Sequence, residues 1–492
     1  WVLWMQGYNH PLVAAGANLS FFPFGPLARR GGAFFLRRSF KGDVVYTASF
    51  KAYIKKLIAD GIHHEFFPEG GRSRTGKLLQ PKLGLFTWQV DAFLEGAAND
   101  VVFIPIAVDY EKVAETRSYS KELLGGEKKA EDFRALLSTP KVLLENFGRI
   151  YITFDEPVSL AELMKSRGLE DPAAVDEEQK KGLVRALGHR VMYGISRVST
   201  VTANALAAAA LLSHRRRGAT ATEVKERIAL LRRICEEEQA PLSRFLKGAP
   251  DDPAAKGPIL DAMETFGSDG LVNAQEAKGE AIYQAVDDRR LELAFYKNTL
   301  MNIVLARSLV ANALLAEGGQ APLEDVRRRA LFLSRLFKVE FIYRVGSPFE
   351  SIFEETVEKL VAMGLVKREA EHVSVAEEKQ LEFIADLLRD YLESYLLAAM
   401  TVQDLAESGP MDKKAFVKAA LETGRSEYFA GRIGAAEALS KPTLENAVSF
   451  LLDQKSLVED GKLLKLGPGA DDPAEREALL GSIRQYLHRR TT

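Results

Sequence analysis

The spacing of apolar residues changes once along the chain, and that change limits the folds open to it. Up to about residue 165, short apolar runs broken by Gly and Pro alternate with longer segments of helical spacing. The runs AGANLSFF, GGAFFLRRSF, IHHEFF, VVFIPIAVDY and GRIYITFDEPV read as strands. VVYTASFKAYIKKLIADG, closing on Gly61 as a C-cap, and LGLFTWQVDAFLEGA read as helices. Strands that alternate with helices predict a layered α/β domain. From about Glu177 the spacing is helical almost throughout, interrupted by Pro/Gly/Asp breaks such as LKGAPDDPAAKGP and LLKLGPGADDPAE. The expected organisation is an α/β domain over 1–165, a connecting helical segment over 166–200, and a mostly α-helical region over 201–492.

Three stretches of the helical region share one outline: ILDAMETFGSDGLVNAQEAKGEAIYQA, IFEETVEKLVAMGLVKREAEHVSVA and LENAVSFLLDQKSLVEDGKLLKLG. Each runs from a helix through a short break to an apolar pair, a polar turn and a strand-like end. A helix followed by a β-hairpin resembles a winged-helix unit. The turns are acidic or mixed and lack the basic stripe that nucleic acid requires, so a scaffold or protein contact is expected instead.

Charge is unevenly spread. The whole chain carries −2, yet residues 1–90 hold 12 Lys/Arg against 4 Asp/Glu. A basic front end suits an anionic ligand or an anionic membrane surface. Cys235 is the only cysteine, which excludes an internal disulfide and a Cys-rich metal site and fits a reducing compartment. No apolar run reaches 18 residues; the nearest, Val201–Leu212, is read as a buried helix, with Arg215–Arg217 behind it as a patch that lipid surfaces attract.

The segment FFPEGGRSRTGKLLQPK carries the chemistry. Gly71, four residues, then Gly76-Lys77 is the opening of a nucleotide P-loop, but the Ser or Thr that would hold Mg²⁺ is Leu78. Asp109 after an apolar strand could pass for an ATPase metal ligand. Pro105 in that strand removes a ladder hydrogen bond, and the nucleotide reading is set aside. The loop keeps the physics of an anion site. Gly70 and Gly71 free backbone N–H groups for close approach, and Arg72, Arg74 and Lys77 place three cations within six residues. Glu69 beside them suits a ligand that carries hydroxyls as well as phosphate. A solvated, salt-bridged turn accounts for the same charges equally well.

GGAFFLRRSF, FFPEGGRSRTGKLLQPKLG and VVFIPIAVDYE, in this order and spacing, resemble the second, third and fourth conserved blocks of the glycerol-3-phosphate acyltransferases. The likeness is closest to the bacterial membrane-bound enzymes and their dihydroxyacetone-phosphate acyltransferase relatives, and is strong over about Ala14 to Pro157. It implies a glycerolipid acyltransferase-type α/β domain. Phe35, Arg37 and Arg38 would line the glycerol-phosphate site, and Glu69, Gly70, Arg72, Ser73 and Arg74 would bind the glycerol hydroxyl and phosphate. Pro105 would help shape the acyl-donor or substrate pocket.

The family's first block, H-x-x-x-x-D, supplies a general base oriented by an acid. None of the seven histidines is followed by Asp at that spacing. His64 with Glu69 comes nearest, but Glu69 is assigned to substrate, and His63 and His64 read as strand residues. WVLWMQGYNHPLVAAG resembles the segment just after that block, so the His and Asp are expected ahead of Trp1 and residues 1–492 alone are expected to be inactive. The expected reaction moves a fatty acyl group from acyl-CoA or acyl-carrier protein to the sn-1 hydroxyl of glycerol 3-phosphate. It needs no metal or prosthetic group, and takes place at the cytoplasmic face of a bacterial inner membrane. Dihydroxyacetone phosphate as acceptor, or a non-catalytic lipid- or phosphate-binding scaffold, are the alternatives.

Overall fold

The computed structural model describes residues 2–37, 42–113, 116–125, 148–213 and 218–487. The fold is mixed α/β followed by a mostly helical region with short hairpins, as the spacing implied. Two compact units divide the chain, and each is assembled from separate stretches.

One unit comprises Trp1–Arg72, Leu79–Ile106 and Phe154–Ser196. Its centre is a parallel sheet in which β1 (Leu12–Gly16) lies between β2 (Ala33–Leu36) and β3 (His64–Glu65). Val13 stands opposite Ala33 on one side and Glu65 on the other. Parallel neighbours need crossovers, here the helices Phe24–Arg30 and Val44–Ala59. The second starts on Asp43, whose side chain accepts from the Tyr46 N–H at 2.9 Å. Phe50, Ile54, Leu57 and Ile58 recur at helical spacing and are buried with Ala92 of the helix Leu83–Leu94. The other face of that helix sends Phe86, Val90 and Phe93 into a core with Phe103, Leu160, Leu183 and Leu187.

The single strand expected from VVFIPIAVDY is two. β4 (Val102–Phe103) and β5 (Ile106–Tyr110) are separated at Ile104-Pro105, and they pair with different partners. β5 pairs with β6 (Ile150–Phe154), and β4 pairs antiparallel with β7 (Val158–Ser159). Proline has no N–H to give a ladder, so the strand breaks there. The Pro105 carbonyl accepts from Asp155 N–H at 2.9 Å. Its ring fills the space over Gly194, where an added Cβ would lie 2.7 Å from Pro105 Cγ.

The other unit comprises Ser73–Leu78, Ala107–Thr153 and Arg197–Thr492. Among its described residues are three three-stranded antiparallel sheets with the same order. The first contains β8 (Ala219–Thr220), β9 (Val272–Ala277) and β10 (Glu280–Ala285), the second β11 (Gln320–Pro322), β12 (Val366–Glu369) and β13 (His372–Val375). The third contains β14 (Met411–Asp412), β15 (Leu457–Asp460) and β16 (Leu463–Leu466). In each, the short early strand lies beside the last strand of the hairpin, which is itself beside the first. A helix precedes each short strand, and two helices separate it from the hairpin. These are Ala203–Leu212, Ala221–Glu237 and Pro258–Ser268, then Met301–Ala316, Leu323–Leu336 and Phe349–Ala362, then Arg389–Ser408, Lys413–Phe429 and Lys441–Asp453. This is winged-helix connectivity, three times over.

The three copies end their last helix in the same way. Gly270, Gly364 and Lys455 occupy the left-handed conformation just past it, with φ of 69°, 73° and 57°. The next N–H then reaches back five residues: Leu271 to Phe266, Leu365 to Leu360 and Ser456 to Leu451, at 2.8, 3.0 and 2.9 Å. Each copy therefore closes with the same hydrogen-bonded turn, which aims the chain into its hairpin. The Ala-rich helix Ala203–Leu212 is buried from Asn204 onward, as expected. Among the described residues no single helix is long and apolar enough to cross a membrane.

Candidate functional site

In the first unit, β2 and β3 run parallel on either side of β1, so their carboxyl ends leave the sheet at one edge. That edge is where α/β sheets present ligand-binding loops. Phe35 lies near the end of β2. Its neighbour Phe34 packs on Phe50 and Tyr53, with ring centroids 6.0 and 5.5 Å away. Alternation along the strand turns Phe35 to the opposite face, where the Arg29 guanidinium lies 5.4 Å from its ring centroid. Arg37 follows at once. Its Nη1 is 2.8 Å from Asp43 Oδ2, its guanidinium covers the Tyr46 ring at 4.5 Å, and its backbone N–H donates to the Tyr46 hydroxyl. The cation is therefore held by the start of the helix Val44–Ala59 while its side chain remains 60% exposed. Arg38 lies outside the described residues.

The loop after β3 begins within the same unit. Glu69 Oε2 accepts from the Leu79 N–H at 3.1 Å, and burial pushes its carboxyl up to about 7, against the pull of that hydrogen bond. Gly70 has φ +66°, a conformation that side chains rarely adopt, and an added Cβ would lie 2.9 Å from Lys82 Cγ. Gly71 is exposed with open space where a Cβ would stand, and Arg72 is exposed. His64 is committed to the fold, its Nδ1 3.2 Å from the Ile62 carbonyl and its Nε2 2.9 Å from Gln89 Nε2. Burial lowers its pKa.

The loop's remaining residues, Ser73–Leu78, belong to the second unit. The Ser73 and Thr75 hydroxyls are 3.3 Å apart. Arg74 Nε is 2.5 Å from Glu122 Oε2 on the helix Thr116–Leu123. Lys77, expected among the phosphate-gripping cations, is instead buried at 3% exposure and ion-paired to Glu340, itself 1% exposed. Of the three loop cations, Arg72 is exposed, Arg74 half-buried and Lys77 buried. Asp109, the other residue of the nucleotide reading, accepts from the Thr200 N–H at 2.7 Å, and burial raises its pKa to about 6. Among the described residues no cluster of three or more His, Cys, Asp or Glu could hold a metal ion.

Two partners of the loop escape sequence reasoning, Glu122 and Glu340. Both are single acids in helical or turn sequence with nothing local to mark them. Only the fold brings them to Arg74 and Lys77.

Residues 119–460 match the family model for the glycerol-3-phosphate acyltransferase C-terminal region, and residues 1–109 match the acyltransferase model. The chain is 30% identical to a glycerol-3-phosphate acyltransferase of Shewanella pealeana over 506 aligned positions, covering 99% of this chain and 59% of that protein. A Shewanella denitrificans relative of the same name gives 30% identity over 500 positions, with the same coverage. One from Histophilus somni gives 29% over 473 positions, covering 95% of this chain and 56% of the relative. The chain thus spans less than two thirds of these relatives' length. The chain belongs to the glycerol-3-phosphate acyltransferase family.

Proposed function

We propose that the whole protein transfers a fatty acyl group from acyl-CoA or acyl-carrier protein to the sn-1 hydroxyl of glycerol 3-phosphate. The observation that carries this reading is the loop after β3. It sets Glu69, whose carboxyl burial pushes up to about 7, next to the glycine-freed backbone of Gly70 and Gly71 and three residues before the exposed Arg72. A polyol phosphate offers the matching groups, hydroxyls for Glu69 and an anion for the backbone N–H groups and Arg72, and the family resemblance assigns Arg74 to the same phosphate. Phe35 in β2 and Arg37 just after it lie at the same sheet edge, the family resemblance adds Arg38 to them, and Pro105 shapes the chain between β4 and β5.

In the reaction the acceptor oxygen attacks the thioester carbonyl while a general base takes its proton. The C–O bond forms, the C–S bond breaks, and the departing thiolate takes up the proton. His64 has both ring nitrogens engaged, so the base is assigned to the His of the family's H-x-x-x-x-D block. Such a base contributes about 10²–10⁴-fold to the rate. Peripheral seating at the cytoplasmic face of the inner membrane is supported by the basic first 90 residues and by the exposed Phe22, Leu27, Val44 and Val45 of the first unit.

An acylation assay with labelled glycerol 3-phosphate on the whole gene product tests the reading. Turnover with glycerol 3-phosphate that falls at least tenfold in Arg74→Ala supports it. Preferential use of dihydroxyacetone phosphate in competition transfers the activity to that acceptor, and no acylation of either leaves a non-catalytic binding role.

A further inference from the structure

Lys77 is the one loop cation that the proposed acceptor chemistry does not use, and its surroundings are unlike those of an idle surface lysine. Its Nζ contacts Glu340 and lies 5.3 Å from the Tyr391 ring centroid and 5.8 Å from that of Phe341. The second Glu340 oxygen accepts from Asn446 Nδ2 at 2.7 Å and from the Tyr395 hydroxyl at 3.3 Å. Glu340 is thus fixed from three directions and cannot follow Lys77 if the loop moves.

The residues just before Lys77 are held as firmly. Gly76 has φ +84°, and a Cβ there would lie 1.9 Å from the Phe295 carbonyl oxygen, so the backbone passes at a distance only glycine allows. The Thr75 carbonyl accepts from Asn298 Nδ2 at 2.8 Å, and Asn298 Oδ1 in turn accepts from the Tyr391 hydroxyl at 2.7 Å. Arg74 meets Glu122. Four consecutive residues therefore each have their own partner in the helical unit. Lys297 pairs with Asp390 at 2.6 Å, and Arg290 pairs with Glu437 at 2.8 Å. With Lys77–Glu340 these set two buried cations, Lys77 and Lys297, and the half-buried Arg290 against three buried acids. Burial draws Lys77 down to about 7, Asp390 opposing and Lys297 adding to the fall.

We propose that Lys77 is a positioning residue, whose buried pairing with Glu340 fixes the Ser73–Lys77 half of the acceptor loop and thereby sets affinity for the phosphorylated acceptor. The proposal rests on the acyltransferase reading for its kinetic consequence. Its mechanical part stands alone: Glu340, Asn298 and the Phe295 carbonyl hold Lys77, Thr75 and Gly76 within the helical unit. A buried charge left without its partner destabilises strongly, whereas removing both members of a pair is tolerated. The informative variant is therefore the double one, Lys77→Met with Glu340→Gln, which keeps acceptors for Asn446 and Tyr395.

The experiment measures two things on the whole gene product. Amide hydrogen exchange over Arg74–Lys77 is expected to speed up at least tenfold in the double variant, with the melting temperature close to that of the parent. Unchanged exchange there overturns the proposal whatever the enzyme does. In the acylation assay the KM for glycerol 3-phosphate is expected to rise at least tenfold, the KM for the acyl thioester to stay within twofold, and kcat to fall less than the acceptor KM rises. Faster exchange with an unchanged acceptor KM also overturns it. If the parent itself acylates nothing, the acyltransferase reading falls, and binding of inorganic phosphate takes the place of KM: equal affinity in parent and double variant overturns the positioning role, and a tenfold loss upholds it.

Discussion

At the scale of single residues, the candidate site turns on how burial treats charge. Glu69 holds its proton up to about pH 7 because its carboxyl is largely removed from water, while the Leu79 N–H offers only partial compensation. Between its ordinary value near 4.5 and 7, the folded chain keeps a proton that the unfolded chain has released. Stability therefore falls as pH rises through that window. The melting temperature of the protein is expected to drop between pH 5 and 8, and Glu69→Gln is expected to remove most of that drop. Glycerol 3-phosphate added at pH 8 should restore part of it in the parent and none in the variant, since a ligand hydroxyl can donate to the ionised carboxylate. A parent and a Glu69→Gln variant with parallel pH profiles would contradict this account. Lys77 shows the limit of reading charges in a row. Arg72, Arg74 and Lys77 look equivalent in the sequence, but one is exposed, one meets an acid on a nearby helix and one is sealed in a core. Spacing along the chain says nothing about an acid about 260 residues further on.

At the scale of elements, short-range rules were legible where the determinant is local. The helix Val44–Ala59 begins on its Asp43 cap and stops before Gly61, as its sequence implies. The hairpins of the helical region are marked by a polar turn after an apolar pair. Two elements were shorter than their apolar runs implied. IHHEFF yields only the two-residue β3, and VVFIPIAVDY splits at a proline whose missing N–H was visible in the sequence. The early strands β8, β11 and β14 went unread, because two or three residues carry no periodicity of their own. The three matching helix ends supply a test. Lys455 adopts a left-handed conformation that costs a side-chain-bearing residue about 1–2 kcal/mol, whereas Gly364 sits at the same place in its own copy with open space beside it. Lys455→Gly is expected to raise stability by up to about 1 kcal/mol and Gly364→Ala to lower it by about the same amount. Denaturant midpoints would show this as shifts of opposite sign, and shifts of the same sign would mean that the turns do not share one role.

At the scale of the whole molecule, the two units are interleaved in sequence. The helical unit takes Ser73–Leu78 out of the loop after β3, and the α/β unit takes Phe154–Ser196 from beyond the middle strands. A reading by periodicity draws contiguous domains, because periodicity is measured along the chain and a six-residue segment is too short to announce its allegiance. A fragment ending at residue 200 would leave Thr75, Gly76 and Lys77 without Asn298, Phe295 and Glu340. Such a fragment is expected to lack a cooperative unfolding transition and to bind no glycerol 3-phosphate. A cooperative melt with retained binding would show that the loop does not depend on the helical unit.

The pairing of Lys77 with Glu340 also sets an order of events during synthesis. About 260 residues separate the two, and at roughly 5–20 residues per second a ribosome needs roughly 10–50 s to cover that distance. Throughout that interval the lysine has been made and its carboxylate has not. The loop after β3 is therefore among the last parts of the molecule to be completed, and a nascent chain carries its Ser73–Lys77 half unpartnered until most of the helical region has been made.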